Sequence, residues 1–485
     1  MINKVILINP YPDYEKGVNK ANIYPPLGIA YIAAVLEKNG FECKIIDANI
    51  LEMRNRDVLK IVEEFDPDVV CISINISTAM AGNSLSREIK KRYNKKIVIG
   101  GVHASSVIER TLKSSMADAV VLGESEETML ELAKKDCNPK GVLGLAYLDN
   151  GKVIYTGKRP LIENLDDLPY PAYHLLPKLK LYKTRYRKKP TASILTSRGC
   201  PYHCIFCGSG SESSIFGSKF RARSPENVIK EIEYLSKEFG VKQIDIQDDN
   251  FTFDMDRAEK ICDLLIKKNL DVILNCQNGV RADRLTRDLV FKLKKAGVFK
   301  LNIGIESGDK EVLKRAKKSL DLEQVKRAIK WSREAGIIVQ GLLMIGLPGD
   351  NAQNMQKTIN FAIEANPHIA TFAGAIPFPK TEFYDIVKKE GKFTSSVMDG
   401  IKDGFLSGEY CFELGKVNQD LINKYLRKAY LQFYLRPSKI LEVIMISLSP
   451  GEIKWTLKAS APLIKNILLE KPNRLIKKIA NIIKN

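Results

Sequence analysis

No apolar run in this 485-residue chain reaches membrane-spanning length. The best candidate, Ile440 to Leu448, is too short. The start, Met1 to Pro10, has neither a long apolar stretch nor a small-residue cleavage site, so it reads as a short buried strand rather than a signal peptide. The nine cysteines are odd in number and scattered, which excludes a disulfide framework. No block of basic residues interleaved with aromatics reads as an RNA-recognition module. The net charge of +19 is therefore attributed to a lysine-rich composition, and no nucleic-acid partner is expected. These absences lead to the expectation of a reducing, cytoplasmic setting.

What is present begins with three cysteines in the run Ser197-Arg198-Gly199-Cys200-Pro201-Tyr202-His203-Cys204-Ile205-Phe206-Cys207-Gly208, with no fourth cysteine nearby. Three thiolates on one short loop can hold three irons of a cubane cluster and leave the fourth open, whereas a closed four-cysteine site mostly carries electrons or supports a fold. A zinc knuckle is the competing reading, but structural zinc sites have four ligands, and His203 beside Cys204 is badly placed to be the fourth. The run resembles the signature of the radical S-adenosylmethionine (SAM) superfamily. That resemblance implies a [4Fe-4S] cluster on Cys200, Cys204 and Cys207, with SAM bound at the open iron. It also implies reductive cleavage to a 5′-deoxyadenosyl radical, and a low-potential electron donor such as flavodoxin or ferredoxin.

Residues 1–135 alternate strand and helix five times. The strand candidates are Lys4–Ile8, Cys43–Asp47, Val69–Ile74, Lys96–Gly100 and Ala119–Leu122, and the first helix starts near Pro26. This pattern predicts an α/β, flavodoxin-like doubly wound domain that binds its ligand at the strand carboxyl ends. Those ends carry Ser73 and Ser77, Gly100 and Gly101, and Gly123 and Glu124. Their order, with the Pro-Pro-Leu-Gly helix start, resembles the cobalamin-binding domain of one class of radical SAM enzymes, and the resemblance makes these six residues candidate cobalamin contacts. Many such domains carry Asp-x-His-x-x-Gly after the first strand, with the histidine on cobalt. Here the loop reads Asp13-Tyr14-Glu15-Lys16-Gly17. Either cobalamin binds without a protein histidine on cobalt, as is expected here, or the domain has lost the cofactor. His103 is read as a loop histidine with no metal role.

Residues 136–190 read as a hairpin turning at Asp149-Asn150-Gly151, then a proline- and lysine-rich linker. From 191 to 395 six βα units predict a partial (β/α)6 TIM-type barrel whose site lies at the strand carboxyl ends. Its strand candidates are Ala192–Thr196, Gln243–Gln247, Val272–Cys276, Lys300–Ile305, Val339–Ile345 and His368–Ala373. Four of those ends offer candidate SAM contacts. Asp248 and Asp249 resemble the family's acidic segment that contacts the amino group of SAM, and carboxylates suit an ammonium, with capping of the next element by Asp249 or Asn250 as the alternative. Glu306 suits the ribose or the amine. Arg281 suits a carboxylate, with an ion pair to Asp283 as alternative. Gly346 would let adenine lie on the backbone, with a turn preceding a helix as the equal alternative. Pro377-Phe378-Pro379-Lys380-Thr381 resembles a family turn in which lysine replaces glycine. Cys262 and Cys276 are read as barrel core.

Residues 396–485 are predicted to be a helical, basic region. The helix around Tyr425–Pro437 is expected to close the open side of the barrel, and the basic segment from Gly451 to Asn485 either to pack on the protein or to make peripheral membrane contact. The expected function is methyl transfer to an unactivated carbon of a small-molecule or lipid substrate, dependent on cobalamin and SAM. The alternatives are a cobalamin-linked cyclase or oxidase, a methylthiotransferase, and a non-catalytic metal-binding protein. Cys43, Cys71 and Cys137 look too dispersed for the second cluster that a methylthiotransferase would need.

Overall fold

The computed structural model describes residues 2–12, 23–182, 187–209, 217–394 and 410–446. The loop Asp13–Gly17 and the basic C-terminal segment from Gly451 lie outside the described residues.

The first strands are continuous apolar runs because both faces of their sheet are covered. Strands β1 (Lys4–Asn9), β2 (Glu42–Asp47), β3 (Val69–Ser73), β4 (Lys96–Gly100) and β5 (Ala119–Val121) are parallel, in the order β2-β1-β3-β4-β5. Alternate residues feed two separate cores. Val5, Leu7, Val69, Cys71 and Val98 face one, while Ile6, Ile8, Val70, Ile72, Ile97 and Ile99 face the other. This is the flavodoxin-like order. The sheet does not stop at residue 135. The hairpin β6 (Leu145–Asp149) and β7 (Lys152–Tyr155) extends it, with Leu145 pairing antiparallel to Val121. Its turn places both Asn150 (φ 48°) and Gly151 (φ 79°) in the left-handed region, as a two-residue hairpin loop of this hand requires.

The second sheet contains six parallel strands: β8 (Thr191–Ile194), then, after a ribbon of β9 (Ser197–Arg198) and β10 (Arg221–Ala222), β11 (Gln243–Ile246), β12 (Ile273–Val280), β13 (Val298–Glu306), β14 (Ile338–Ile345) and β15 (Ile369–Gly374). They run in sequence order from β8 at one edge to β15 at the other, the arrangement of an open barrel. Cys262 and Cys276 are buried in its core. The covering helices start where local chemistry dictates. The helix Pro225–Phe239, for example, has Ser224 accepting from the Asn227 amide and proline in its first turn.

The helix Gln419–Tyr434 covers the β15 edge. The Tyr430 hydroxyl meets both the amide and the carbonyl of Phe372, at 3.3 and 3.0 Å. One turn on, the Tyr434 hydroxyl does the same for Ala370, at 3.0 and 2.8 Å. Residues four apart share one helix face, so two tyrosines replace a missing neighbouring strand. Among the described residues no helix is long and apolar enough to cross a membrane.

Candidate active site

The carboxyl ends of the two sheets face each other across a cavity of about 620 Å³, within the usual range for ligand pockets. One wall carries Asn9, Ser73, Gly100, Gly101, Gly123 and Glu124 from the N-terminal strand ends. The other carries Gly208, Ser209, Asp249, Pro379 and Thr381. Gly101 is obligatory there. Its φ is +103°, and a Cβ at this position would lie 2.4 Å from the Ile74 carbonyl oxygen. His103 also lines the cavity. Ser77 does not. Its hydroxyl turns back to donate to Asn75 Oδ1 at 2.7 Å.

The cysteine loop begins at the neck formed by β9 and β10. Gly199 opens it at φ +83°, where a Cβ would come within 2.3 Å of the Lys219 carbonyl oxygen. Buried Ile205 anchors its middle, donating to the Ala316 carbonyl at 3.1 Å and accepting from the Phe383 amide at 2.9 Å. Cys200, Cys204 and Cys207 are half-buried, whereas the other six cysteines are fully buried. Burial pushes the Cys200 thiol up to about 11, and negative charge on Asp249, Cys207 and Cys204 adds to the effect against the Tyr202 amide. Burial also raises the Cys204 thiol, while the Lys318 ammonium opposes that rise. Such thiols become ligands when a bound cation relieves their mutual repulsion. Among the described residues no three His, Cys, Asp or Glu side chains converge as one metal ion needs. A cubane assigns each thiolate its own iron.

Asp248 and Asp249 diverge, as adjacent extended residues must. Asp248 is buried and does not face the cavity: one oxygen accepts from the Thr196 amide at 2.6 Å, the other from the Thr196 and Ser197 hydroxyls. Its carboxylate braces the chain entering the cysteine loop. Asp249 lines the cavity and accepts from the Ser209 hydroxyl at 2.7 Å. Burial raises its carboxyl, and the Asp248 charge adds to the effect. Its Oδ2 is buried without a hydrogen-bond partner, which calls for a polar ligand; the amide atoms of Asn250 are also unpartnered, but Asn250 does not line the cavity. Neither residue caps the next helix, because Asp254 does so.

Glu306 ends β13 at φ 65° and pairs with buried Lys318 at 3.0 Å. Gly304 makes room for the pair, since a Cβ there would sit 2.7 Å from the Glu306 Oε1. Arg281 makes the ion pair with Asp283, at 2.9 Å. It also donates to the Lys318 carbonyl at 3.1 Å and stacks 3.7 Å from the Tyr202 ring centroid. Gly346 is covered: Ile422 and Val417 occupy the space where its Cβ would point. The lysine in the family-like turn keeps a left-handed backbone (Lys380 φ 64°) and reaches across the cavity rim to the Ser105 carbonyl at 3.1 Å. Glu124 lines the cavity, but its carboxylate is engaged by Arg198, Arg221 and the Ile162 amide. The sequence reading missed Lys318, Arg198 and Arg221. Lys318 lies in the run Lys314-Arg315-Ala316-Lys317-Lys318, where nothing marks it as the buried member. Arg198 and Arg221 each occupy an ordinary-looking two-residue strand.

Asp350, after β14, is buried. Its Oδ2 accepts from the Gly346 and Leu347 amides at 2.8 and 3.2 Å, while its Oδ1 has no partner. Burial raises its carboxyl to about 7, helped by Asp309 and opposed by the two amides. A raised acid favours folding while protonated and loses that contribution as pH rises from about 4 to 7. Asp350→Asn keeps an acceptor for both amides and carries no charge. Its thermal midpoint is therefore expected to exceed that of the parent at pH 8, and the difference to vanish by pH 4. Parallel melting curves across that window test this, and a constant difference would refute it.

Known proteins resemble this chain over its length. The B12 binding domain model matches residues 17–133, and the radical SAM superfamily model matches residues 194–362. An uncharacterized methyltransferase of Pyrococcus horikoshii is 32% identical over 451 residues, covering 91% of this chain and 95% of the relative. The cytidylyl-2-hydroxyethylphosphonate methyltransferase of Streptomyces wedmorensis is 30% identical, covering 87% and 86%. The anaerobic magnesium-protoporphyrin IX monomethyl ester cyclase of Rubrivivax gelatinosus is 29% identical, covering 87% and 78%. Among solved structures, the radical SAM methyltransferase TsrM of Kitasatospora setae superposes with TM-score 0.71 at 16% identity, covering 90% of each chain. The cobalamin-dependent radical enzyme OxsB gives 0.74 at 18%, covering 99% of this chain and 75% of that one.

Proposed function

Because this chain belongs to the radical SAM superfamily, in the branch that carries a B12-binding domain, we propose that it transfers a methyl group from SAM, through cobalamin, to an unactivated carbon of a small organic molecule. Its cofactors are a [4Fe-4S] cluster, SAM and cobalamin. The observation that carries the proposal is that one shared cavity is bounded by Gly100, Gly101 and Gly123 on one side and by Gly208, Ser209 and Asp249 on the other. When bound, these groups supply radical generation and methyl carriage, while the protein contributes placement and electrostatics.

In this reading Cys200, Cys204 and Cys207 hold the cluster. The orphaned Oδ2 of Asp249, on the cavity wall, takes the polar end of SAM. Lys318 keeps a buried positive charge beside Cys204, and Glu306 holds that ammonium in place. The glycines of the N-terminal wall let the corrin approach the backbone. Asp248 takes no part in binding and instead positions the loop. The electron comes from a low-potential donor of the flavodoxin or ferredoxin kind.

The test is anaerobic purification with cobalamin supplied, then incubation with methyl-labelled SAM and a reductant. The expected result is iron and sulfide in cluster proportion, a bound-corrin visible spectrum and label passed to the corrin fraction. Formation of 5′-deoxyadenosine with no label on the corrin would favour the cyclase reading, which the Rubrivivax gelatinosus relative supports. Zinc in place of iron would overturn both. The methylthiotransferase reading needs a second cluster. The fold gathers Cys43, Cys71 and Cys137 around one core, closer than their sequence positions suggest, but all three are buried among apolar side chains.

A further inference from the structure

The two strands at the neck of the cysteine loop put Arg198 directly opposite Arg221, and all three cysteines lie on the chain between them. Both guanidinium groups converge on one carboxylate of the other domain. Arg198 donates to Glu124 Oε1 at 3.0 Å, and Arg221 reaches Oε1 and Oε2 at 3.0 and 2.9 Å. Arg198 also bridges to Glu126 at 2.6 Å. The connecting segment is pinned at the same point, because the Ile162 amide donates to Glu124 at 2.8 Å and its carbonyl accepts from Arg221 at 2.6 Å. All four charged side chains are buried, with exposures of 2–6%. Buried charges of this kind are tolerated only in well-defined geometry, so the network holds its parts in one arrangement. Glu124 sits between Gly123 and Ser125, which line the cavity wall. The Arg198 guanidinium lies 5.1 Å from the ring of Tyr31, on the helix whose start (Gly28) lines the same wall.

We propose that Glu124, Arg198 and Arg221 are positioning residues that lock the neck of the cysteine loop to the cobalamin-facing wall, so that cluster and corrin are held at one fixed separation. The inference rests on the proposed function and adds to it the device that sets the spacing between the two cofactors. A clamp at this place predicts a defect confined to chemistry that crosses between the domains. SAM cleavage takes place within the barrel and persists, whereas passage of the methyl group to the corrin requires the two walls in register, and misplacement of reacting groups is costly.

The experiment uses the full-length holoenzyme, reduced so that both cluster and cob(II)alamin are paramagnetic, and measures their separation by dipolar electron paramagnetic resonance. Parent protein is expected to give one narrow distance distribution. Glu124→Gln is expected to broaden or shift it, and label passed from SAM to the corrin to fall about tenfold or more, with 5′-deoxyadenosine formation retained. Arg198→Lys keeps the charge but cannot bridge two glutamates. It is expected to act the same way, and it decides the matter if Glu124→Gln does not accumulate as folded protein. A distance distribution equal to the parent's, in a variant loaded with both cofactors, overturns the clamp and leaves the proposed function standing. Parent protein that binds no cluster or no corrin overturns the proposed function instead.

Discussion

Cys204→Ala is expected to purify as folded protein with cluster iron and sulfide at background, and with 5′-deoxyadenosine formation reduced about 10³-fold or more, the scale of losing one member of a unit that acts together. The reasoning is local. The Cys204 thiol is half-buried on a loop anchored by its neighbour Ile205, so the fold does not depend on it. Two remaining thiolates cannot hold three irons. The apo-protein melting midpoint should match that of apo parent. Cys262→Ala is the control, since Cys262 is buried in the barrel core. It should keep its iron and lose about 1 kcal/mol of stability, the scale of a small core deletion. Equal iron in Cys204→Ala and parent would remove the cluster from this loop.

Asp248→Ala is expected to fail differently, by loosening the chain that leads into the loop. The substitution strands the Thr196 amide and the Thr196 and Ser197 hydroxyls, all buried. Each buried donor left without an acceptor costs about 1–3 kcal/mol, so a loss of about 3 kcal/mol or more follows. Arg257, which donates to the Thr196 carbonyl at 2.7 Å, also loses the negative charge that favours its guanidinium. Thermal midpoint and iron content should fall together, and amide exchange at Thr196 should accelerate. A direct SAM ligand would behave otherwise, weakening SAM binding with stability and iron unchanged. That pattern would return Asp248 to the cavity.

The fold was legible because its strands are unmistakable. Lys96–Gly100 and the helix Pro225–Phe239 occur with the bounds the sequence suggests, since apolar runs between turn residues leave little choice of element. The hairpin after residue 135 was legible as a hairpin but not as part of the first sheet, because its pairing with β5 is a long-range choice that no local pattern encodes. The cavity-facing glycines were readable from position alone. The direction of each carboxylate was not. Asp248 and Asp249 are the same residue type side by side, and only the hydroxyls of Thr196 and Ser197, about fifty positions away, claim the first and leave the second to the cavity. Lys318 and the two neck arginines stayed hidden for a similar reason: a basic residue announces its charge in the sequence but not the carboxylate that buries it.

The paired tyrosines along β15 also bear on how copies of this protein meet. An open barrel presents a rim of unsatisfied backbone groups, which is a template for strand addition by another molecule. The hydroxyls of Tyr430 and Tyr434 occupy that rim along β15, so at Ala370 and Phe372 this edge offers no free ladder to a stranger's strand.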